Sequence, residues 1–176
     1  MTRSAVLLKS AAWLAVLLGT PACVRKDDAG AFRPLAVGQP IRAYAVETLA
    51  GDTVRLGGPG RVTVLSVWAT WCTSCREEMA DLNALQKEFA SRGVQVVAVS
   101  VDAGDRSRVQ RFADEEKLAF TVAHDPEGRV EETFQMIGVP ETFVVGKDGR
   151  LLWRHIGSVH AVVDSARAVI GGATGT

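Results

Sequence analysis

The stretch Trp68-Ala69-Thr70-Trp71-Cys72-Thr73-Ser74-Cys75 constrains this chain more than any other, because it joins two incompatible periodicities. Before it, Val62 to Trp68 is a nearly unbroken apolar run, as expected of a strand buried on both faces. After it, Met79, Leu82, Leu85 and Phe89 recur at helical spacing and define one apolar face. Two cysteines therefore sit where a buried strand turns into a helix. Backbone N–H groups at a helix start lack intrahelical partners, and the helix dipole puts partial positive charge there. A thiol at that place is favoured as thiolate and becomes a nucleophile near neutral pH. The second thiol, one helical turn on, can resolve a mixed disulfide formed on the first. An inert disulfide and half of a zinc site are the other uses of such a pair. A zinc site needs four ligands, and no second CxxC or histidine pair at ligand spacing occurs.

The remaining patterns build a sheet around this join. Ile41, Ala43 and Ala45 alternate with Arg42, Tyr44 and Val46, and Ala50-Gly51-Asp52 turns the chain into Thr53 to Leu56, which predicts a hairpin. Gly57-Gly58-Pro59-Gly60 ends it. Val94 to Val101 is a second buried strand, and Gly93 before it stops the first helix. Asp102 to Lys117 has a helical pattern with Val109, Phe112 and Ala113 inward. Phe120 to Ala123 is a short strand, followed by a short helix around Val130, Phe134 and Met136. Glu141 to Val145 and Arg150 to Ile156 form a late hairpin across Gly146-Lys147-Asp148-Gly149, and Val159 to Ile170 is a closing helix. The expected fold is α/β, a central mixed sheet flanked by helices on both faces.

The first 23 residues read as an export signal. Arg3 and Lys9 supply the basic start, and Ala11 to Gly19 is a short apolar core. That run is shorter than the roughly 18–20 residues a spanning helix needs. An uncleaved anchor, with Ala5 to Leu8 extending the run, is the other reading. Thr20-Pro21-Ala22-Cys23 is a partial match to a bacterial lipoprotein processing site, at which Cys23 would be lipidated. Cleavage after Ala22 would instead leave Cys23 a free thiol. Residues 24–38, with Arg25, Lys26, Asp27, Asp28 and Pro34 and no periodicity, read as a linker. The folded domain is expected over 39–171. In the periplasm, where disulfides persist, a reducing role requires imported electrons. Twenty basic and twenty acidic residues cancel, and no basic patch asks for nucleic acid.

The segment Trp68 to Met79, followed later by Gly138-Val139-Pro140-Glu141-Thr142-Phe143, resembles the thioredoxin-like proteins of the TlpA/ResA/CcmG group over roughly Leu35 to Gly171. The resemblance implies a thioredoxin-like fold with an N-terminal β-hairpin and an extra helix and strand before Pro140. It also implies a periplasmic or membrane-tethered thiol–disulfide oxidoreductase that acts as a reductant and needs no cofactor or metal beyond its own dithiol. Its substrates would be disulfides of exported proteins, such as apocytochrome c or copper-site proteins, and its electrons would come from an integral-membrane thiol reductant. Cys72 matches the nucleophile and Cys75 the resolving thiol. Pro140 matches a cis-proline set against the sulfurs, with Val139 and Trp71 lining the substrate surface. Glu78 matches an acid near the thiols that could relay a proton, against the plainer reading of a surface glutamate. Glu141 gives the Pro-Glu-Thr-Phe spelling of the cytochrome c maturation branch, or is a solvated strand-start carboxylate.

Two departures matter. Ser66 stands where thioredoxin has a buried aspartate six residues before the first cysteine, so a proton relay falls to Glu78 or water. Thr73-Ser74 lacks the proline many relatives carry between the cysteines. Trp68 is read as core, and His124, His155 and His160 as structural or surface residues. Two rivals remain. A peroxiredoxin-like thiol peroxidase would want threonine where Ala69 stands. A copper-binding chaperone would favour CxxxC with a placed histidine.

Overall fold

The computed structural model describes residues 34–57 and 59–175. The expected export signal over 1–23, Cys23 and the linker as far as residue 33 lie outside the described residues. A hairpin of β1 (Tyr44–Glu47) and β2 (Thr53–Leu56) precedes β3 (Thr63–Trp68), β4 (Gln95–Ser100), β5 (Thr121–His124), β6 (Glu141–Val145) and β7 (Leu151–Ile156). The helices are α1 (Thr73–Glu77), α2 (Met79–Phe89), α3 (Ser107–Glu115), α4 (Arg129–Phe134) and α5 (Val163–Thr174). The hairpin is a sheet of its own, and the other strands form one sheet in the order β5-β4-β3-β6-β7.

β3 is central. It runs parallel to β4 and antiparallel to β6, and all six of its residues are buried. Val64 and Trp68 face a core filled by Met79, Leu82, Leu85 and Phe89 of α2, Val109 and Phe112 of α3, and Ala166 and Ile170 of α5. Leu65 and Val67 face a second core made with Tyr44, Val46, Val130 and Phe134, so α4 and the hairpin cover that side. Each fully buried aliphatic or aromatic side chain contributes on the order of 1.5–3 kcal/mol, and β3 collects that gain on both faces. Among the described residues no helix is long and apolar enough to cross a membrane.

Five details depart from the sequence pattern. In and just before β1 the buried set is Tyr44 and Val46, while Ala43 and Ala45 face solvent, because the larger side chains gain most from burial. α3 starts at Ser107 rather than Asp102, since Asp102 is buried, Gly104 takes φ +85°, and Asp105 accepts from the Ser107 N–H at 2.9 Å. The helix after the cysteines is two helices with Glu78 at the joint. The closing helix begins as a 3₁₀ turn at Val159–Val162 and extends to Thr174. The end of the expected linker is tied to the sheet, with Gly38 N–H donating to Leu151 O at 2.7 Å.

Besides the Leu49 N–H bond to Val122 O at 2.8 Å, the hairpin is fixed to the sheet by a buried side-chain contact. The Tyr44 hydroxyl donates to Asp125 Oδ2 at 2.9 Å, and the ring meets Phe134 edge-on at 6.0 Å. Asp125 is fully buried and also accepts the Val130 N–H at 2.7 Å. Tyr44→Phe removes only the hydroxyl, leaves that carboxylate one donor short, and should cost about 1–2 kcal/mol in urea unfolding. An unchanged unfolding midpoint would show that this bond does not hold the hairpin.

Candidate active site

The site begins where β3 runs out. Cys72 N–H donates to Ala69 O at 3.1 Å, closing a turn that swings the chain from the strand into α1. That turn is bolted down by Asp102, just past the end of the adjacent β4. Asp102 is buried and accepts from the Thr70 N–H at 2.8 Å, the Thr70 hydroxyl at 2.5 Å and the Ser100 hydroxyl at 2.7 Å. Its own carbonyl lies 2.8 Å from His124 Nε2. Nothing in the sequence pattern singled out Asp102, although a carboxylate ending an apolar strand was the available signal.

Cys72 caps α1 and Cys75 lies inside it, and the two sulfurs are joined as a disulfide. The Cys75 N–H donates to Cys72 Sγ at 3.2 Å, and Ser74 Oγ lies 3.6 Å from the same sulfur. Both groups favour negative charge on Cys72 once the pair is reduced. Cys72 is 7% exposed and Cys75 fully buried, so an incoming disulfide meets Cys72 first. Trp71 beside it is 65% exposed, whereas Trp68 is wholly buried against Phe112 with ring centroids 4.9 Å apart.

Glu78 lies one turn past Cys75 on the buried stripe that continues as Met79 and Leu82. It is fully buried, not the surface glutamate that was one of its two readings. Its Oε1 accepts from the Ser66 hydroxyl at 2.7 Å and its Oε2 from the Val159 N–H at 2.8 Å. The helix breaks where this side chain turns inward, with φ −84° and ψ −10° at Glu78. Burial pushes its carboxyl up to about 7, with the two donors pulling the other way and the charge of Asp81 adding to the rise. Ser66 and Glu78 were separate observations in the sequence; in the structure they are one hydrogen bond.

Pro140 reaches the site through register. Val67 of β3 pairs with Glu141 of β6, which brings the preceding Pro140 to the level of Trp68, where the cysteine turn starts. The Val139–Pro140 peptide is cis, Val139 is half-buried against both cores, and Ile137 is 60% exposed. The Pro140 carbonyl accepts from the N–H of Gly157, whose φ of +99° favours glycine. Glu141 is not a solvated carboxylate. It is fully buried, forms an ion pair with Arg154, and accepts the Ile137 N–H at 3.2 Å. Along β6, Phe143 and Val145 join the second core and Val144 the first, so Glu141 falls on the sheet face opposite the cysteines and Glu78. No sequence pattern marks Arg154. His155 stacks on Trp153 and His160 pairs with Asp81.

A disulfide at a strand–helix turn, a buried carboxylate one turn behind it and a proline segment beside it is the geometry into which the comparisons fit. The profile of the AhpC/TSA family matches residues 37–154. The chain belongs to the AhpC/TSA family. Within it, the chain is similar to thiol-disulfide oxidoreductase ResA of Oceanobacillus iheyensis, at 33% identity over 131 residues, covering 72% of this chain and 66% of that protein. ResA of Bacillus thuringiensis subsp. konkukian is 30% identical over 119 residues, 67% of this chain and 68% of that one. The chain thus spans about two thirds of the length of these relatives. A crystal structure from Chlorobium tepidum, described as a thiol:disulfide interchange protein DsbE, superposes with TM-score 0.74 at 30% identity, over 80% of this chain and 99% of that chain. The fold is thioredoxin-like, and this AhpC/TSA member is a disulfide oxidoreductase on the ResA-like side of the family.

The Glu78 carboxyl makes stability depend on pH. Between its ordinary value of 4.5 and its folded value of about 7, the folded protein holds a proton that the unfolded chain has released. Stability attributable to Glu78 therefore falls as pH rises through that window, by about 3 kcal/mol in all. Glu78→Gln should match wild type near pH 5 and be the more stable protein at pH 8 in urea unfolding. A constant difference between the two across that range would contradict the raised carboxyl.

Proposed function

We propose that the protein reduces disulfides in exported proteins from a periplasmic, membrane-tethered position. The observation that carries this reading is the pairing of a nearly buried sulfur at the surface, Cys72, with a fully buried one, Cys75, above a carboxyl that titrates near neutral pH. The Cys72 thiolate attacks one sulfur of the substrate disulfide, and the other substrate sulfur leaves as thiolate. The Cys75 thiol then gives up its proton and attacks Cys72 Sγ. The second substrate sulfur leaves, and the Cys72–Cys75 disulfide forms. Two electrons pass from the dithiol to the substrate. Glu78, unprotonated at that moment, is the acceptor proposed for the Cys75 proton, with Ser66 orienting it.

Trp71, Val139 and Pro140 are proposed to line the surface on which the substrate chain lies. The basic, apolar start of the sequence supports export, and Cys23 is the proposed lipid attachment point if the signal is of lipoprotein type. Regeneration needs an integral-membrane thiol reductant as electron donor. Apocytochrome c or copper-site proteins are the substrates the resemblance favours. A peroxiredoxin-like peroxidase is disfavoured because fully buried Ala69 offers no hydroxyl three residues before Cys72. A copper chaperone is disfavoured by the CxxC spacing.

The test is Cys75→Ser, which removes the resolving sulfur. It should accumulate a mixed disulfide through Cys72, visible on non-reducing gels of exported proteins and reversed by dithiothreitol. No adduct with Cys75→Ser, or an adduct that persists when Cys72 is also changed to Ser, would sink the mechanism.

A further inference from the structure

We propose that Arg154 and Glu141 are positioning residues that set residues 135–140 as the docking edge for an extended polypeptide substrate. This rests on the exchange reaction proposed above. Glu141 is fully buried and Arg154 nearly so, at 9% exposed, and each uses a second bond to hold the segment. Arg154 Nε donates to Glu141 Oε1, while its Nη2 donates to the carbonyl of Gln135 at 3.1 Å. Glu141 Oε2 accepts the N–H of Ile137 at 3.2 Å. The guanidinium also lies over the Phe143 ring, 5.4 Å from its centroid.

The segment is thus held by the pair at residues 135 and 137, and by the Gly157 N–H at Pro140. Gln135 sits at φ +49°, a backbone conformation that an ordinary side chain adopts only when its surroundings impose it. With its N–H turned inward, Ile137 presents its side chain to solvent at 60% exposure. Ile156, paired with Glu141 across the hairpin, is 52% exposed, and Trp71 beside Cys72 is 65% exposed. These are three of the four large apolar side chains exposed among the described residues, and each adjoins the disulfide turn or the Pro140 segment. An extended chain carrying apolar residues beside its cysteine fits that rim.

Stability alone does not account for the pair. Burying two charges costs desolvation on both, and replacing such a pair with apolar side chains of similar size is often neutral or stabilising. What apolar side chains cannot supply is a donor for Gln135 O and an acceptor for Ile137 N–H. The pair therefore fixes geometry, and its loss should be read in docking.

The test uses the full chain against two disulfides: insulin, which must dock, with dithiothreitol re-reducing the Cys72–Cys75 pair at each turnover, and 5,5′-dithiobis(2-nitrobenzoate), which needs only an exposed thiolate, in a single turnover of protein reduced beforehand and freed of reductant. Arg154→Met strands a buried carboxylate and is at risk of unfolding, so the deciding variant is Arg154→Met/Glu141→Leu. With an unfolding midpoint near that of wild type, it should lose roughly tenfold or more in kcat/KM on insulin, mainly through KM. The rate on the small disulfide should fall by a much smaller factor. Equal losses on both disulfides, or an unaltered KM for insulin, would overturn the proposal alone. A wild-type protein inactive on both disulfides would overturn the exchange reading and this proposal with it.

Discussion

β3 is hydrogen-bonded along both edges and packed on both faces, and everything at the disulfide is placed by its C-terminal end. Just past the end of its parallel partner β4 comes Asp102, which grips Thr70 in the cysteine turn. Its antiparallel partner β6 begins just after Pro140, so the proline segment arrives at the same level from the other side. A slip of one residue in either pairing would turn Ser66 and Val67 to the wrong cores and carry away the hydroxyl that meets Glu78. The site is a consequence of register as much as of the two cysteines.

Two buried carboxylates sit on opposite faces of this sheet, and their surroundings give them different work. Glu141 has a guanidinium beside it, so its charge is balanced and its oxygens are spent on holding backbone. Glu78 is held by a hydroxyl and an N–H, and burial outweighs them, raising its carboxyl to about 7. A carboxyl near 7 can take or release a proton at working pH, and one fixed in an ion pair is suited to bracing instead. The Pro-Glu-Thr-Phe spelling draws attention to Glu141, but it is Glu78 that shares a face with the sulfurs.

What the sequence made legible was what periodicity encodes. Met79, Leu82, Leu85 and Phe89, and likewise Val109, Phe112 and Ala113, are inward as their spacing requires. The disulfide turn, the strand–helix alternation and the proline segment were also readable, the last through resemblance. Illegible were the contacts made across the fold. Glu78 finds Ser66 12 residues back and Val159 81 residues on, and no local pattern announces either. The break between α1 and α2 follows from those bonds, so it was illegible for the same reason. Arg154 looked like an ordinary polar residue on a late strand until its partner across the hairpin was known. Asp102 was closest to being readable, since a carboxylate ending a buried strand must find donors.

Whether this dithiol gives electrons, as proposed, or takes them is read from the reduction potential of the Cys72–Cys75 pair. Equilibration against a glutathione or dithiothreitol series, read by thiol alkylation, gives the value. A reductant should show a potential well below the roughly −120 mV of a strongly oxidising dithiol, toward the about −270 mV of a reducing thioredoxin. A potential near −120 mV would contradict the proposal and make the protein a donor of disulfides.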